Sequence, residues 1–195
     1  MTSPIKLNLK IYQGSTFKQV LRWESSTRVY VPITNITKSA PLVITAPNHG
    51  LPVGWRARVA NAGGMKEINL LDYQTVTGTT TDTVTFNQIN SLGFTAYTTG
   101  GVLEYNQPVP LFGITARMQI REKLTSDTII HELTTENGGI VFDNMYKTIT
   151  LDISDEITTA LNFTVGVYTL EFESSIGEVT PFAKGSVSLE KEVTR

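Results

Sequence analysis

Residues 41–54 read PLVITAPNHGLPVG and residues 94–103 read FTAYTTGGVL, and they open and close a segment rich in small residues, aromatic residues and turns. Proline presets a turn backbone and glycine supplies positive φ, so their clusters mark turns. Between the turns lie short β-branched and aromatic runs, such as residues 42–45 (LVIT) and 83–86 (TVTF). The pattern predicts a small β-barrel or β-sandwich domain over residues 41–105, close to the lower size limit for an independent core.

The residues on either side predict a second β domain that this segment interrupts. Apolar and polar residues alternate in residues 5–11 (IKLNLKI), 116–121 (ARMQIR) and 148–153 (TITLDI), as in half-buried strands. Turn signals recur about every 8–12 residues, which is typical of a β-sandwich. We therefore predict an all-β chain in which residues 1–40 and 106–195 form one discontinuous β-sandwich domain. A single helical turn is expected after Ser154, a capping residue followed by two acids.

Composition excludes several classes of function. Charged residues make up 17% of the 195 residues, below the average of about 25%, and 29 threonines supply polarity instead. A net charge of −2 argues against a nucleic-acid binder, which needs basic patches. The absence of cysteine excludes disulfides and thiol catalysis. With no long apolar run and no signal-peptide core at the start, we expect a protein without a membrane span that is assembled in a cytoplasm.

The titratable residues do not form a catalytic or metal-binding pattern. His49 stands in an N-H-G-L turn and is interpreted as a structural turn residue, and His131 as an exposed strand residue. Asp152, Asp155 and Glu156 lack the spacing of a calcium loop and are interpreted as helix-capping acids. The sequence predicts no metal site here.

Neither glycine pair matches a phosphate-binding loop. Gly63-Gly64 and Gly100-Gly101 are not followed by Lys-Ser/Thr, so both predict β-turns or β-bulges. We expect Gly64 to need positive φ and Met65 to fill the core of the small domain. No serine lies in a G-x-S-x-G motif, so we predict no enzyme and no cofactor. One alternative stays open, a sugar-stacking platform made of Trp23, Trp55, Phe94, Tyr97 and Phe112.

The central segment resembles the FCCH domain, a small β domain first described in ubiquitin-activating enzymes. The resemblance rests on the spacing H-G-L…G-G-M-x-E-x-N…Y-T-x-G-G. The residues that carry it are His49, Gly50, Leu51, Gly63, Gly64, Met65, Asn69, Tyr97, Gly100 and Gly101. No nucleotide-binding βαβ unit and no catalytic cysteine accompany it. The resemblance therefore implies a fold for residues 41–105, without adenylation or thioester chemistry.

The flanking residues resemble the N-terminal immunoglobulin-like domain of phage baseplate upper proteins. The matching stretches occur in the same order, at 13–17 (QGSTF), 116–121 (ARMQIR), 167–171 (VYTLE) and 185–189 (GSVSL), with 192–195 (EVTR) at the end. The resemblance implies an immunoglobulin-like sandwich in a phage tail or baseplate protein. Because no fibre region follows the sandwich, we expect an adaptor or small structural subunit instead of a receptor-binding protein.

The expected function is that of a non-catalytic structural subunit of the virion, assembled in the host cytoplasm. Its partners would be tail, baseplate or fibre subunits and further copies of itself in a symmetric homo-oligomer. Two alternatives remain: a capsid-decoration or head–tail connector protein, and a glycan-binding attachment module. Terminal strands often lie at sheet edges, where a neighbour can dock. The candidate interface residues are Ile5, Leu7, Leu9, Ile11, Glu192, Val193 and Arg195.

Overall fold

A computed structural model describes residues 4–191 of the chain, and most of its regular structure is strand. In chain order the strands are β1 (Ile5–Lys6), β2 (Leu9–Tyr12), β3 (Phe17–Leu21), β4 (Glu24–Pro32), β5 (Asn35–Ile36), β6 (Leu42–Thr45), β7 (Arg56–Ala60), β8 (Gln74–Thr75), β9 (Gly78–Thr79), β10 (Thr83–Phe86), β11 (Val102–Pro108), β12 (Thr115–Arg121), β13 (Ile129–Thr134), β14 (Ile140–Asp143), β15 (Thr148–Ile153), β16 (Val165–Glu173) and β17 (Val179–Glu190). The helices are a 3-10 helix, Lys66–Leu70, and α1, Asp155–Ala160. The prediction of an all-β sandwich fold is confirmed.

The chain divides into two compact units. The sandwich unit contains residues 4–22, 110–144 and 148–191, and the inserted unit contains Trp23–Val109 with Met145–Lys147. The predicted boundaries at 40/41 and 105/106 lie inside the inserted unit, because β4 pairs antiparallel with β11. The two ends of the insertion lie side by side, since the Val109 amide donates to the Trp23 carbonyl at 3.0 Å.

The sandwich unit has two sheets. The larger has the order β1-β17-β16-β12-β13, with β2 also on β17, and the smaller has the order β14-β15-β3. Alternate residues of β12 and β15 are buried, as the sequence pattern predicts. Phe142 of β14 packs edge-on against Phe172 of β16, with ring centroids 5.8 Å apart, so the two sheets meet in one core.

The predicted strand at residues 5–11 is present but interrupted. It forms β1 and β2, both parallel to β17, separated at Leu7 and Asn8. A Cβ on Gly185 would lie 2.0 Å from the Leu7 carbonyl oxygen, so only glycine allows the chain to approach β17 this closely. The Tyr168 hydroxyl donates to the same carbonyl at 2.8 Å.

The predicted helical turn is α1. The Ser154 side chain accepts a hydrogen bond from the Ile157 amide at 3.4 Å, which identifies Ser154 as the N-cap. At the other end, the Gln13 amide group donates to the carbonyls of Thr159 and Leu161 at 3.1 and 2.9 Å. Gln13 thereby satisfies carbonyls that a helix leaves without an intrahelical partner.

The inserted unit contains two four-stranded sheets, β5-β6-β10-β9 and β4-β11-β7-β8. Neither sheet closes into a barrel, so of the two predicted forms the sandwich is the one observed. Buried residues of both sheets share one core that includes Ile44, Trp55, Met65, Phe86 and Leu103. The 3-10 helix beside Met65 has no counterpart in the sequence prediction.

Candidate functional site

His49 is a buried structural residue of a turn. The Leu51 amide donates to its Nδ1 at 3.0 Å, and its Nε2 lies 3.1 Å from the Thr83 carbonyl oxygen. An amide only donates and a carbonyl only accepts, so both contacts are satisfied when Nδ1 accepts and Nε2 donates. Gly50 follows with φ of 65°, and the Tyr105 hydroxyl donates to the His49 carbonyl. Both ring nitrogens are engaged within the unit, which confirms the structural role.

The Gly63-Gly64-Met65 motif is also structural. Gly64 has φ of 78°, and a Cβ there would lie 2.2 Å from the Ala96 carbonyl oxygen. The Gly63 amide donates to the Thr99 carbonyl at 2.7 Å, which joins the two halves of the motif. Met65 is fully buried. The predictions for Gly64 and Met65 are both confirmed.

The remaining motif residues hold loops of the inserted unit together. Asn69 accepts from the Ala62 amide at 2.9 Å and donates to the Ala62 carbonyl at 3.0 Å. The Tyr97 hydroxyl donates to the Gly100 carbonyl at 2.9 Å. Gly101 has φ of 88°, and a Cβ there would lie 2.9 Å from the Ala62 Cα. All these contacts are formed within the inserted unit.

The other titratable candidates lie in ordinary structural positions. His131 is partly buried in β13, not exposed as predicted, and burial lowers its pKa. Asp155 and Glu156 lie in the first turn of α1, as predicted for capping acids. The same prediction is wrong for Asp152, which lies in β15 and pairs with Lys18 at 3.0 Å. Among residues 4–191, no three His, Asp or Glu side chains are grouped so that they could hold a metal ion.

Three aromatic residues of the possible sugar platform pack into or against the core of the inserted unit. Trp55 is fully buried in the core of the inserted unit, and its indole donates to the Asn106 carbonyl at 2.9 Å. Phe94 and Tyr97 are partly buried against the same core. Phe112 belongs to the sandwich unit and is 88% exposed. Trp55 is therefore not available to stack on a sugar.

A network of charged residues that sequence reasoning missed lies in the β4-β11-β7-β8 sheet. Glu104 is 2% exposed. Its two neighbours in β11 point into the core, so the Glu104 side chain lies on the face of the sheet that points away from the core, where burial is not expected. Arg28 donates to its Oε1 at 2.8 Å, and Arg58 donates to its Oε2 through two nitrogens at 2.8 and 3.1 Å. The Tyr73 hydroxyl donates to Oε1 at 3.0 Å. Three side chains therefore cover and neutralise one carboxylate.

The electrostatics of this network keep Glu104 ionised. Burial by itself would raise the pKa of Glu104, but the hydrogen bonds from Arg58 and Tyr73, with the charge of Arg28, outweigh burial and lower that pKa. A second pair, Arg56 with Glu24, has two hydrogen bonds of 2.7 and 2.8 Å. The arginines of these pairs meet carboxylates of the same unit. We interpret the network as a device that fixes the register of β4, β11 and β7.

Among the described residues of the sandwich unit, the two most exposed large apolar side chains lie on neighbouring turns. Phe112 is 88% exposed and Ile176 is 86% exposed, and each stands on a turn. The two turns are adjacent, since a Cβ on Gly113 would lie 3.7 Å from the Ser175 Cβ. Val179, at the start of β17, is 54% exposed. We call residues 111–114 and 174–179 the loop end.

Most side chains of the candidate interface at the N-terminus are buried or partly buried in the structure. Leu9 and Ile11 are buried, because alternate residues of β2 face the core, so their side chains are not docking residues. Leu7 is partly buried, and only Ile5 is half exposed. The backbone of β1 and β2 does lie at the edge of the larger sheet. Glu192, Val193 and Arg195 lie outside the described residues.

No protein-family model matches the chain, and no curated protein is similar to it in sequence. Its function is therefore inferred from its own residues and their arrangement.

Proposed function

We propose that the chain is a non-catalytic structural subunit of a phage virion, in the tail or baseplate, where it acts as an adaptor between neighbouring subunits. Two observations support the class. Four motifs of the sandwich unit resemble, in the same order, those of baseplate upper proteins. The chain has the all-β sandwich fold that this resemblance implies. The action proposed is stoichiometric assembly, in which the surface of the subunit is the functional part.

The observation that carries the proposal is the set of large apolar side chains exposed on the sandwich unit. Single exposed apolar residues are normal on a soluble protein, but adjacent ones mark contact surfaces. Phe112 and Ile176 are almost fully exposed on adjacent turns. A stable interface buries about 1,200–2,000 Å² in total, enough to cover such residues. The exposed apolar residues of this unit include Val20, Phe112, Leu124, Val141, Ile176 and Val179.

Sheet edges give a second kind of contact. In the described part of the chain, β13 pairs with β12 alone, and β14 pairs with β15 alone. The outer side of such a strand can hydrogen-bond to a strand of a neighbouring subunit. The edge formed by β1 is less suited, because β1 has only two residues and one is Lys6. Backbone hydrogen bonds to β13 or β14 would fix which residues of the neighbouring subunit's strand lie opposite them.

The test is the protein composition of purified particles. Quantitative mass spectrometry of virions should find this chain in a fixed ratio to the tail subunits, and labelled antibodies should locate it at the tail. Its presence on tailless heads would favour the capsid-decoration or connector alternative. A chain that is absent from washed particles would refute the proposal. Binding of the purified chain to a glycan array would support the attachment alternative.

A further inference from the structure

The loop end has a neighbouring groove whose charge is strongly biased. Three exposed acids, Glu136, Glu171 and Glu173, line the groove together with Val179. Glu173 is the pairing partner of Val179 across β16 and β17, so acidic and apolar side chains stand side by side. Glu178 adds a further exposed carboxylate on the turn that carries Ile176.

Few cations balance these acids. Arg117 also lines the groove, where it is the cross-strand partner of Glu171 and its charge acts on Glu136, while its guanidinium lies 3.6 Å from the carboxylate of Glu132. This one arginine faces several carboxylates, and no ion pair is seen for Glu173 or Glu178 among the described residues. Lys184 lies further along the same sheet, opposite Thr169 of β16. Hydrogen bonds from its own backbone amide and from the side chains of Thr135 and Thr134, in that order, lower the pKa of Glu136 and keep it ionised. The apolar tips of the loop end are therefore rimmed by negative charge.

We propose that the loop end docks a basic segment of a neighbouring polypeptide, one in which a large apolar side chain is flanked by lysine or arginine. The apolar side chain would pack between Phe112 and Ile176, and the cations would meet Glu173 and Glu178. Glu173 and Glu178 flank the turn that carries Ile176, so their charges would act on the same docked segment as the apolar side chains. That the partner is a virion subunit rests on the proposed function. The residue types expected in the docked segment rest only on the residues of this surface.

The same charge argues against other occupants. Nucleic acids and anionic membranes carry negative charge, and four exposed carboxylates would repel them. A purely apolar partner would leave the carboxylates without compensation, although they could stay hydrated at the rim. A cationic segment with an apolar anchor satisfies both parts of the surface.

The first experiment uses synthetic peptides and the isotopically labelled full chain. The probe is the acetylated, amidated peptide KLWLK, and its matched control is ELWLE. In two-dimensional NMR, KLWLK should shift the amide signals of residues 111–114 and 174–179, less so at high salt, and ELWLE should not. Equal shifts with both peptides, or no shift at the loop end with KLWLK, would overturn the proposal.

Variants separate docking from general attraction. In the double variant Phe112→Ser/Ile176→Ser, the affinity for KLWLK should fall at least about tenfold, a change worth about 1.4 kcal/mol. The control is Leu124→Ser, which removes an 80% exposed leucine at the far end of β12, about 20 Å away along the strand. Glu173→Gln/Glu178→Gln should weaken binding of KLWLK as well. An affinity that survives the double variant would show that only charge attracts the peptide.

A parallel experiment in particles keeps the two proposals distinct. Phage carrying Phe112→Ser/Ile176→Ser should incorporate less of the chain than phage carrying Leu124→Ser. If the wild-type chain is absent from particles, the proposed function fails and the peptide result is unaffected. If the wild-type chain is present and the double variant is incorporated equally well, the docking inference fails and the proposed function stands.

Discussion

Replacement of Met65 by alanine should destabilise the inserted unit by about 3–4 kcal/mol. The change removes three heavy atoms from a side chain that is fully buried in the core of that unit. Loss of transfer free energy contributes about 0.8 kcal/mol per buried group, or roughly 2.4 kcal/mol. The cavity left behind adds to this, within the range of about 2–5 kcal/mol seen for such changes.

How far the surrounding residues collapse into the cavity decides where in that range the loss of stability falls. Gly64 before Met65 is fixed by close contact with the Ala96 carbonyl, and the 3-10 helix Lys66–Leu70 follows directly. Neither side of the site can move inward without breaking these contacts, so most of the cavity should remain. We therefore expect a cost above the transfer term alone.

The assay is urea unfolding followed by tryptophan fluorescence. Both tryptophans, Trp23 and Trp55, belong to the inserted unit, so the signal reports on that unit. With a slope of about 1–3 kcal/mol per molar urea, the midpoint should fall by about 1–4 M. Leu70→Ala is the control, since Leu70 belongs to the same unit and is 86% exposed, and it should change stability by less than about 0.5 kcal/mol. Equal midpoints for the two variants would refute the placement of Met65.

Three further changes test other parts of the fold. Gly64→Ala should cost more stability than Gly50→Ala, measured by the same unfolding assay, because both have positive φ but only Gly64 has no room for a Cβ. The pKa of Glu104 is lower in the folded than in the unfolded state, so the ionised carboxylate stabilises the unit above the unfolded pKa of about 4.3. This stabilisation is lost as the pH falls from there through the folded pKa. Below about pH 4.3 the wild type should therefore lose more stability than Glu104→Gln. Deletion of residues 23–109 with a short Gly/Ser linker should leave a sandwich unit that unfolds cooperatively and is at least as stable as the product of deleting 41–105, because the shorter deletion leaves β4 without β11.

Local patterns in the sequence predict the strands and turns of this protein well. The alternation in residues 116–121 and 148–153 reappears as alternate burial in β12 and β15. The N-H-G-L turn and the Gly64 position follow from the backbone freedom of glycine and asparagine, which is a local property. The N-cap Ser154 is equally local.

Features that depend on distant pairing are not visible in the sequence. Residues 24–32 belong to the inserted unit only because they pair with β11, more than 70 positions away. The burial of Glu104 depends on Arg28, Arg58 and Tyr73, which come from three separate segments. A faint signal exists in residues 102–106 (VLEYN), where a carboxylate alternates with core residues. The 3-10 helix is too short to leave a periodic pattern.

The measurement that tests the central claim most directly is a reconstruction of the intact phage particle by electron cryomicroscopy. The account predicts that the chain occupies the tail or baseplate in symmetric copies, with a basic segment of a neighbouring subunit packed on Phe112 and Ile176. A particle whose density contains no copy of this all-β chain would contradict it.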